Sequence, residues 1–127
     1  MSLGIVDPTP KREPIRFLVF SASLRANSLN TRLARLAADR ITDNGGTVSF
    51  ALMHDFDVPS YDQDVQDADG FPAGATAFYK RLNETDAFVI ASPEYNASFP
   101  GAVKNLIDWV SRYRPQPFNA RQGLLLA

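Results

Sequence analysis

The chain contains no cysteine among its 127 residues, and it has a single histidine, His54. Disulfide bonds, thiol nucleophiles and thiolate metal sites are therefore excluded, and neither a metal site nor a Ser–His catalytic pair is expected. No apolar run approaches the roughly 20 residues that a membrane-spanning helix requires. The chain also has no large excess of positive or negative charge, because its net charge is −1. These features predict a cytoplasmic protein with no membrane or nucleic-acid partner.

The composition is that of a folded domain, with 45% hydrophobic and 21% charged residues. Residues 1–14 are polar and contain several prolines, so we expect a flexible leader there. Residues 15–127 fit one compact domain of ordinary size.

Short apolar runs alternate with segments of helical spacing along this domain. Nearly continuous apolar strands indicate a parallel sheet covered by helices on both faces, which is an α/β fold. Strands are predicted at Ile15–Phe20, Thr47–Leu52, Asp86–Ala91 and Gly123–Ala127, and helices at 29–41, 71–84 and 98–112. The helix at 29–41 is expected to bury a stripe of Leu29, Leu33, Leu36, Ala37 and Ile41. Residues 53–70 are predicted to be a long loop, and the spacing of its six aspartates favours a solvated acidic loop over a calcium site.

The segment Ser21–Asn30 lies between the first strand and the first helix. It offers several hydroxyl groups, two asparagine amides and the guanidinium of Arg25, while the N–H groups of the following helix favour an anion. Neither a P-loop lysine nor a Gly-rich dinucleotide motif is present. The favoured interpretation is a loop that binds a mononucleotide phosphate. The alternative is a serine-rich loop that only caps the helix. Asn27 or Ser28 is the expected N-cap of that helix.

A second polar loop, Ser92–Gly101, follows the third predicted strand and should lie at the same sheet edge. Its proline, tyrosine and asparagine can place backbone polar groups along a flat heterocycle. The residues alone leave open whether that heterocycle is a flavin or a nucleobase.

Together the two loops resemble a known family. The patterns SxSLRxxSxN after the first strand and SPEYNxSxPGxVKNxIDW after the third are similar to those of the NADPH-dependent FMN reductases, as is the connector VPSYDQD. The resemblance runs from about residue 15 to residue 127. Ala22 stands where the family usually has glycine.

The resemblance implies a flavodoxin-like open sheet of order 2-1-3-4 and an NAD(P)H-dependent oxidoreductase that uses FMN, with NADPH or NADH as donor. The acceptor would be a quinone, an azo compound, a metal oxyanion or free flavin. No catalytic side chain is implied, because the flavin carries the chemistry. A homodimer or homotetramer is implied as well. The implied FMN contacts are Ser21, Ser23, Arg25, Ser28 and Asn30 at the phosphate, and Pro93, Glu94, Tyr95, Asn96 and Ser98 at the isoalloxazine ring.

The sequence departs from this family at its end. Family members continue beyond the strand at 123–127 into a loop over the flavin, a fifth strand and a final helix, and these are absent from this chain. We therefore expect a C-terminally incomplete domain whose last strand is an exposed apolar edge. A fragment is favoured over a chain whose exposed edge is covered by a partner. A flavodoxin-type electron carrier and an inactive fragment of a reductase remain alternatives.

Two further sets of residues are ambiguous. Trp109 and Tyr113 lie four residues apart, so either a partner surface or local helix packing is possible. Arg112, Arg114 and Arg121 are available for the extra phosphate of NADPH, although solvated surface charge is the favoured interpretation.

Overall fold

The computed structural model describes residues 13–96 and 98–126. A short 3-10 helix, Met53–Phe56, accompanies the main elements. In chain order the strands and α-helices are β1 (Arg16–Ser21), α1 (Leu29–Asp43), β2 (Thr47–Leu52), α2 (Gln63–Asp69), α3 (Ala73–Asn83), β3 (Ala87–Ala91), α4 (Gly101–Val110) and β4 (Gln122–Leu126).

The four strands form one parallel sheet in the order β2-β1-β3-β4, which confirms the predicted fold class and strand order. Ser21, the last residue of β1, lies opposite Leu52 in β2 and Ala91 in β3. Because these three strands end at the same level, the loops that follow them meet at one edge of the sheet. This is the carboxyl edge.

Side chains of alternate residues in β1 enter different cores, as the two-residue period of a strand requires. Leu18 and Phe20 pack with the 3-10 helix, α3 and α4. Val19 packs with Ala34 of α1 on the opposite face. In the first core, the rings of Phe20, Phe56 and Phe78 meet edge to face, with centroids 4.9–5.8 Å apart. Helices thus cover both faces, as predicted.

The predicted buried stripe of α1 is wrong in two of its members. Leu29 is 76% exposed and Leu36 is 51% exposed, whereas Ala34 is completely buried. Leu29 is the first helical residue, beyond the cover of the sheet. Leu33, Ala37 and Ile41 of the predicted stripe do pack against the sheet. Ala34 packs there as well, where its small side chain permits close approach of α1.

The prediction of a long loop at 53–70 is also wrong, because the segment contains the 3-10 helix and α2. The 3-10 helix brings Phe56 into the core. The side chain of Asp62 caps α2 by accepting the N–H of Asp64 at 2.8 Å, and Gly70 ends the helix at φ 76°. Asp62, one of the six aspartates predicted to lie in a solvated loop, is therefore a helix N-cap.

Among the strands that the structure describes, β4 pairs with β3 alone and lies at the edge of the sheet. Leu124 and Leu125 are 54% and 59% exposed, which confirms the prediction of an exposed apolar edge at this strand.

Local packing, and not a partner surface, accounts for Trp109. Its indole is completely buried and its N–H donates to the carbonyl of Pro59 at 2.8 Å. The ring of Tyr61 meets it edge to face at 4.9 Å. Tyr113 stacks on Phe71 with a centroid distance of 3.8 Å.

Candidate functional site

The loop between β1 and α1 is held by a chain of hydroxyl groups. Ser28 is the N-cap of α1, and its Oγ accepts the N–H of Thr31 at 3.0 Å. The hydroxyl of Thr31 contacts the hydroxyls of Ser28 at 3.0 Å and of Ser21 at 2.9 Å. Thr31 therefore ties the end of β1 to the start of α1.

Two backbone N–H groups of the same loop donate hydrogen bonds to the hydroxyl groups of its serines. The N–H of Arg25 donates to Ser23 Oγ at 3.2 Å, and the N–H of Ser23 donates to Ser21 Oγ at 3.4 Å. Asn27 has φ 55°, a left-handed conformation that asparagine tolerates better than most residues. Ser21, Ser23 and Ser28 are all buried. The loop is thus preorganised by its own polar groups.

The second loop approaches the first at the carboxyl edge. The N–H of Ala22 donates to the carbonyl of Ala91 at 2.8 Å, which joins the starts of the two loops. Tyr95 and Ser98 exchange two backbone hydrogen bonds of 3.0 Å, and Asn96 lies between them at φ 52°. The result is a tight, exposed turn that presents Tyr95 to solvent.

A cavity of about 440 Å³ lies between the two loops, and we call it the inter-loop cavity. It brings together six of the ten predicted site residues, four from the first loop and two from the second. The residues that line it are Ser23, Arg25, Asn27, Ser28, Leu29, Asn30, Arg32, Pro93 and Tyr95.

The other four predicted residues are placed differently. Ser21 is completely buried under the first loop and its hydroxyl is engaged by Thr31. Glu94 and Ser98 line a neighbouring, largely apolar cavity of about 410 Å³ between α4 and the end of β4. Asn96 is exposed at the tip of the turn.

The charge of the inter-loop cavity suits an anion. Its lining contains two guanidinium groups and no carboxylate, and the N-terminus of α1 adds a partial positive charge. Within the described ranges, neither Arg25 nor Arg32 forms an ion pair with a carboxylate. Sequence reasoning missed Arg32. The position of Arg32 could have indicated it as a site residue. A positive charge in the first turn of a helix is unfavourable there, because it lies beside the positive end of the helix dipole.

These residues fit a phosphate monoester. Ser23, Ser28 and Asn30 supply neutral donors and Arg25 supplies a charged donor, the combination that gives short, strong bonds to an anion. Pro93 and Tyr95 form an apolar wall on the opposite side, suited to the uncharged part of such a ligand.

The three arginines considered for the NADPH phosphate lie elsewhere. Arg121 Nε donates to the carbonyls of Leu82 at 2.7 Å and Thr85 at 3.1 Å, at the opposite edge of the sheet. Arg114 donates to the carbonyl of Ser111 at 2.8 Å, and Arg112 donates to Gln66 at 3.3 Å. None of the three lines the inter-loop cavity.

In the described part of the chain, no helix has the length and apolar character needed to cross a membrane.

Comparison with known proteins gives consistent results. A family model described as NADPH-dependent FMN reductase matches residues 15–127. A quinone reductase of Escherichia coli K12 is 39% identical over 113 residues, which cover 89% of this chain and 59% of the relative. An NAD(P)H-dependent FMN reductase of Pseudomonas aeruginosa is 35% identical over 114 residues, covering 90% of this chain and 60% of the relative.

Among solved structures, FerB of Paracoccus denitrificans, a flavoenzyme NAD(P)H:(acceptor) oxidoreductase, is similar with a TM-score of 0.73 and 31% identity. That match covers 87% of this chain and 59% of FerB. The chain therefore spans about three fifths of the length of these relatives.

Proposed function

Because this chain belongs to the NADPH-dependent FMN reductase family, we propose that it binds FMN in the inter-loop cavity and acts as an NAD(P)H-dependent oxidoreductase. The electron acceptor in this proposal is a quinone, as the name of the Escherichia coli relative suggests. Azo compounds, metal oxyanions and free flavin are further acceptors to be tested.

The observation that carries the proposal is the convergence of both loops on one cationic cavity. Ser23, Arg25, Ser28 and Asn30 line the side next to α1, where the FMN phosphate would be held. The serines are already positioned by hydrogen bonds within the loop. Binding therefore requires little ordering of the loop, which favours affinity.

Ser21 has a different role in this proposal. Its hydroxyl is buried and bonded to Thr31, so it positions the loop from beneath. It reaches the phosphate only through that chain of hydroxyl groups.

The second loop would hold the isoalloxazine ring. Pro93 and Tyr95 line the inter-loop cavity opposite the phosphate-binding residues. Glu94, Asn96 and Ser98 belong to the same loop and would contact the polar edge of the ring. Bound FMN supplies the hydride-accepting chemistry, and the protein supplies orientation and hydrogen bonds. No side chain is assigned as a catalytic acid or base.

The remaining features follow the same family argument. We propose a homodimer or homotetramer, a cytoplasmic location, and a flavodoxin-like FMN-binding domain at residues 15–127 with a flexible leader at residues 1–14. Size-exclusion chromatography with light scattering would test the assembly.

The test of function uses the purified 127-residue chain incubated with FMN and then freed of unbound flavin. Flavin absorbance should remain with the protein, and NADPH should be consumed steadily when a benzoquinone is added. Bound FMN without NADPH consumption would indicate an electron carrier. Absence of both would contradict the proposal.

A further inference from the structure

A second cavity lies on the opposite side of the first loop, facing β2. It encloses about 350 Å³ and is bounded by Leu24 of the loop, by Leu52 at the end of β2 and by His54. We call it the β2-side cavity. It opens at the same carboxyl edge of the sheet as the inter-loop cavity.

Positive charge is concentrated around the β2-side cavity. Arg25, Arg32 and Arg35 all line it, together with His54. The ion pairs found in residues 13–96 and 98–126 involve other cations, so these three guanidinium groups have no carboxylate within 4.0 Å. The net charge of the whole chain is only −1, so the cluster is a local feature.

The neighbouring carboxylate of Asp55 does not line the β2-side cavity and forms no ion pair with these arginines among the described residues. Asp55, on the 3-10 helix, directs its Oδ2 to the N–H of Leu52 at 2.8 Å. A cavity with three arginines and no carboxylate in its lining is suited to a ligand of at least two negative charges.

Two of the side chains are held in place before any ligand binds. The guanidinium carbon of Arg35 lies 4.7 Å from the centroid of the Phe50 ring, a cation–π contact. His54 Nε2 lies 3.2 Å from the carbonyl oxygen of Leu24. Because a carbonyl only accepts, this nitrogen carries the hydrogen. Such prior ordering lowers the entropic cost of binding.

The two cavities share part of their lining but are distinct. Arg35 and His54 line only the β2-side cavity, whereas Asn30, Pro93 and Tyr95 line only the inter-loop cavity. If the FMN phosphate occupies the inter-loop cavity and takes Arg25, as in the proposed function, the β2-side cavity keeps Arg35 and His54 and shares Arg32 for another phosphate. NADPH is the phosphate-bearing substrate of that function.

We propose that the β2-side cavity binds the 2′-phosphate of NADPH and favours NADPH over NADH. A terminal phosphate monoester carries up to two charges and offers three oxygens, a good match for several guanidinium forks. Each phosphate of the pyrophosphate carries about one charge and is a weaker match. This inference rests on the proposed function.

The test compares two ligands that differ only in this phosphate, 2′,5′-ADP and 5′-AMP. Calorimetric titration of the purified chain should give at least about tenfold tighter binding of 2′,5′-ADP, as expected for charged hydrogen bonds. Arg35→Gln should reduce that preference by roughly tenfold while changing FMN affinity less than about twofold. His54→Gln provides a second variant at an exposed position.

The matched control is Arg40→Gln, which removes an arginine at the opposite end of α1, where it pairs with Asp43. It should keep the full preference. Circular dichroism confirms that each variant is folded.

Three results would overturn the inference. The first is equal binding of 2′,5′-ADP and 5′-AMP by the unmodified chain. The second is a parallel loss of FMN affinity in Arg35→Gln, which would make this cavity part of the flavin phosphate site. The third is binding of inorganic phosphate as tight as that of 2′,5′-ADP, which would indicate a simple anion site. Failure of the chain to bind FMN would instead contradict the proposed function, and these titrations distinguish the two cases.

Discussion

Ser28 combines two roles that substitution can separate. It is the N-cap of α1, and its hydroxyl also lines the inter-loop cavity. Ser28→Ala removes the bond to the N–H of Thr31 and the contact with the Thr31 hydroxyl, both 3.0 Å. Loss of an N-cap costs about 1 kcal/mol of folding free energy. For a domain of this size, that lowers Tm by about 3–6 °C.

The same substitution removes a donor to the proposed FMN phosphate. A hydrogen bond to a charged group contributes about 1.5–3 kcal/mol, so FMN affinity should fall roughly 10- to 150-fold. Ser28→Asp should behave differently. Aspartate is as good an N-cap as serine, and its negative charge interacts favourably with the positive end of the helix dipole. Tm should therefore stay close to that of the unmodified chain. Its negative charge would repel the phosphate, and FMN binding should be lost.

The assay is a fluorescence titration of FMN combined with thermal unfolding followed by circular dichroism. Asp62→Ala is the control, because Asp62 caps α2 by accepting the N–H of Asp64 at 2.8 Å but lines neither of the two cavities beside the first loop. It should lower Tm without changing FMN affinity. Normal FMN binding by Ser28→Asp would refute the placement of the phosphate beside Ser28.

Three further predictions follow from other contacts. Arg25→Ala should weaken FMN binding by about 1.5–3 kcal/mol in the same titration while leaving Tm unchanged, and unchanged affinity would remove Arg25 from the site. Gly74→Ala should lower the free energy of unfolding in urea by about 1–3 kcal/mol, because a Cβ there would collide with the carbonyl of Asp57; an unchanged midpoint would contradict this. The pKa of Asp86 is lowered mainly by the side-chain hydrogen bond from Arg16 and next by the hydrogen bond from the backbone N–H of Arg16. The unmodified chain should therefore be more stable than Asp86→Asn at neutral pH. This stability difference should disappear as the pH falls below about 4 and through the lowered pKa, and a difference that persists in acid would argue against this ion pair.

The two polar loops could be identified from the sequence because their signals are local. A hydroxyl-rich segment between an apolar strand and an amphipathic helix defines a helix N-terminus wherever it occurs. Ser28 was one of two N-caps considered, and the structure places it there. The strand order was predictable only through the family resemblance, since periodicity identifies strands and not their neighbours.

Predictions that depended on which residues become neighbours were less successful. Leu29 and Leu36 fit the apolar period of α1 and are nevertheless exposed, because the orientation of α1 on the sheet decides which side chains are covered. Trp109 was ambiguous until Pro59 and Tyr61, about 50 residues earlier in the chain, were seen to enclose it.

The sequence by itself determined where groups suited to a phosphate are concentrated, since that depends on residue types within one strand–loop–helix unit. The tertiary structure decided how that unit is used. Parallel pairing of β1 with β2 and β3 aligns the three strand ends, which brings Pro93 and Tyr95 to one side of the first loop and His54 to the other. A loop with one set of donors thereby borders two cavities, and only long-range packing could create the second.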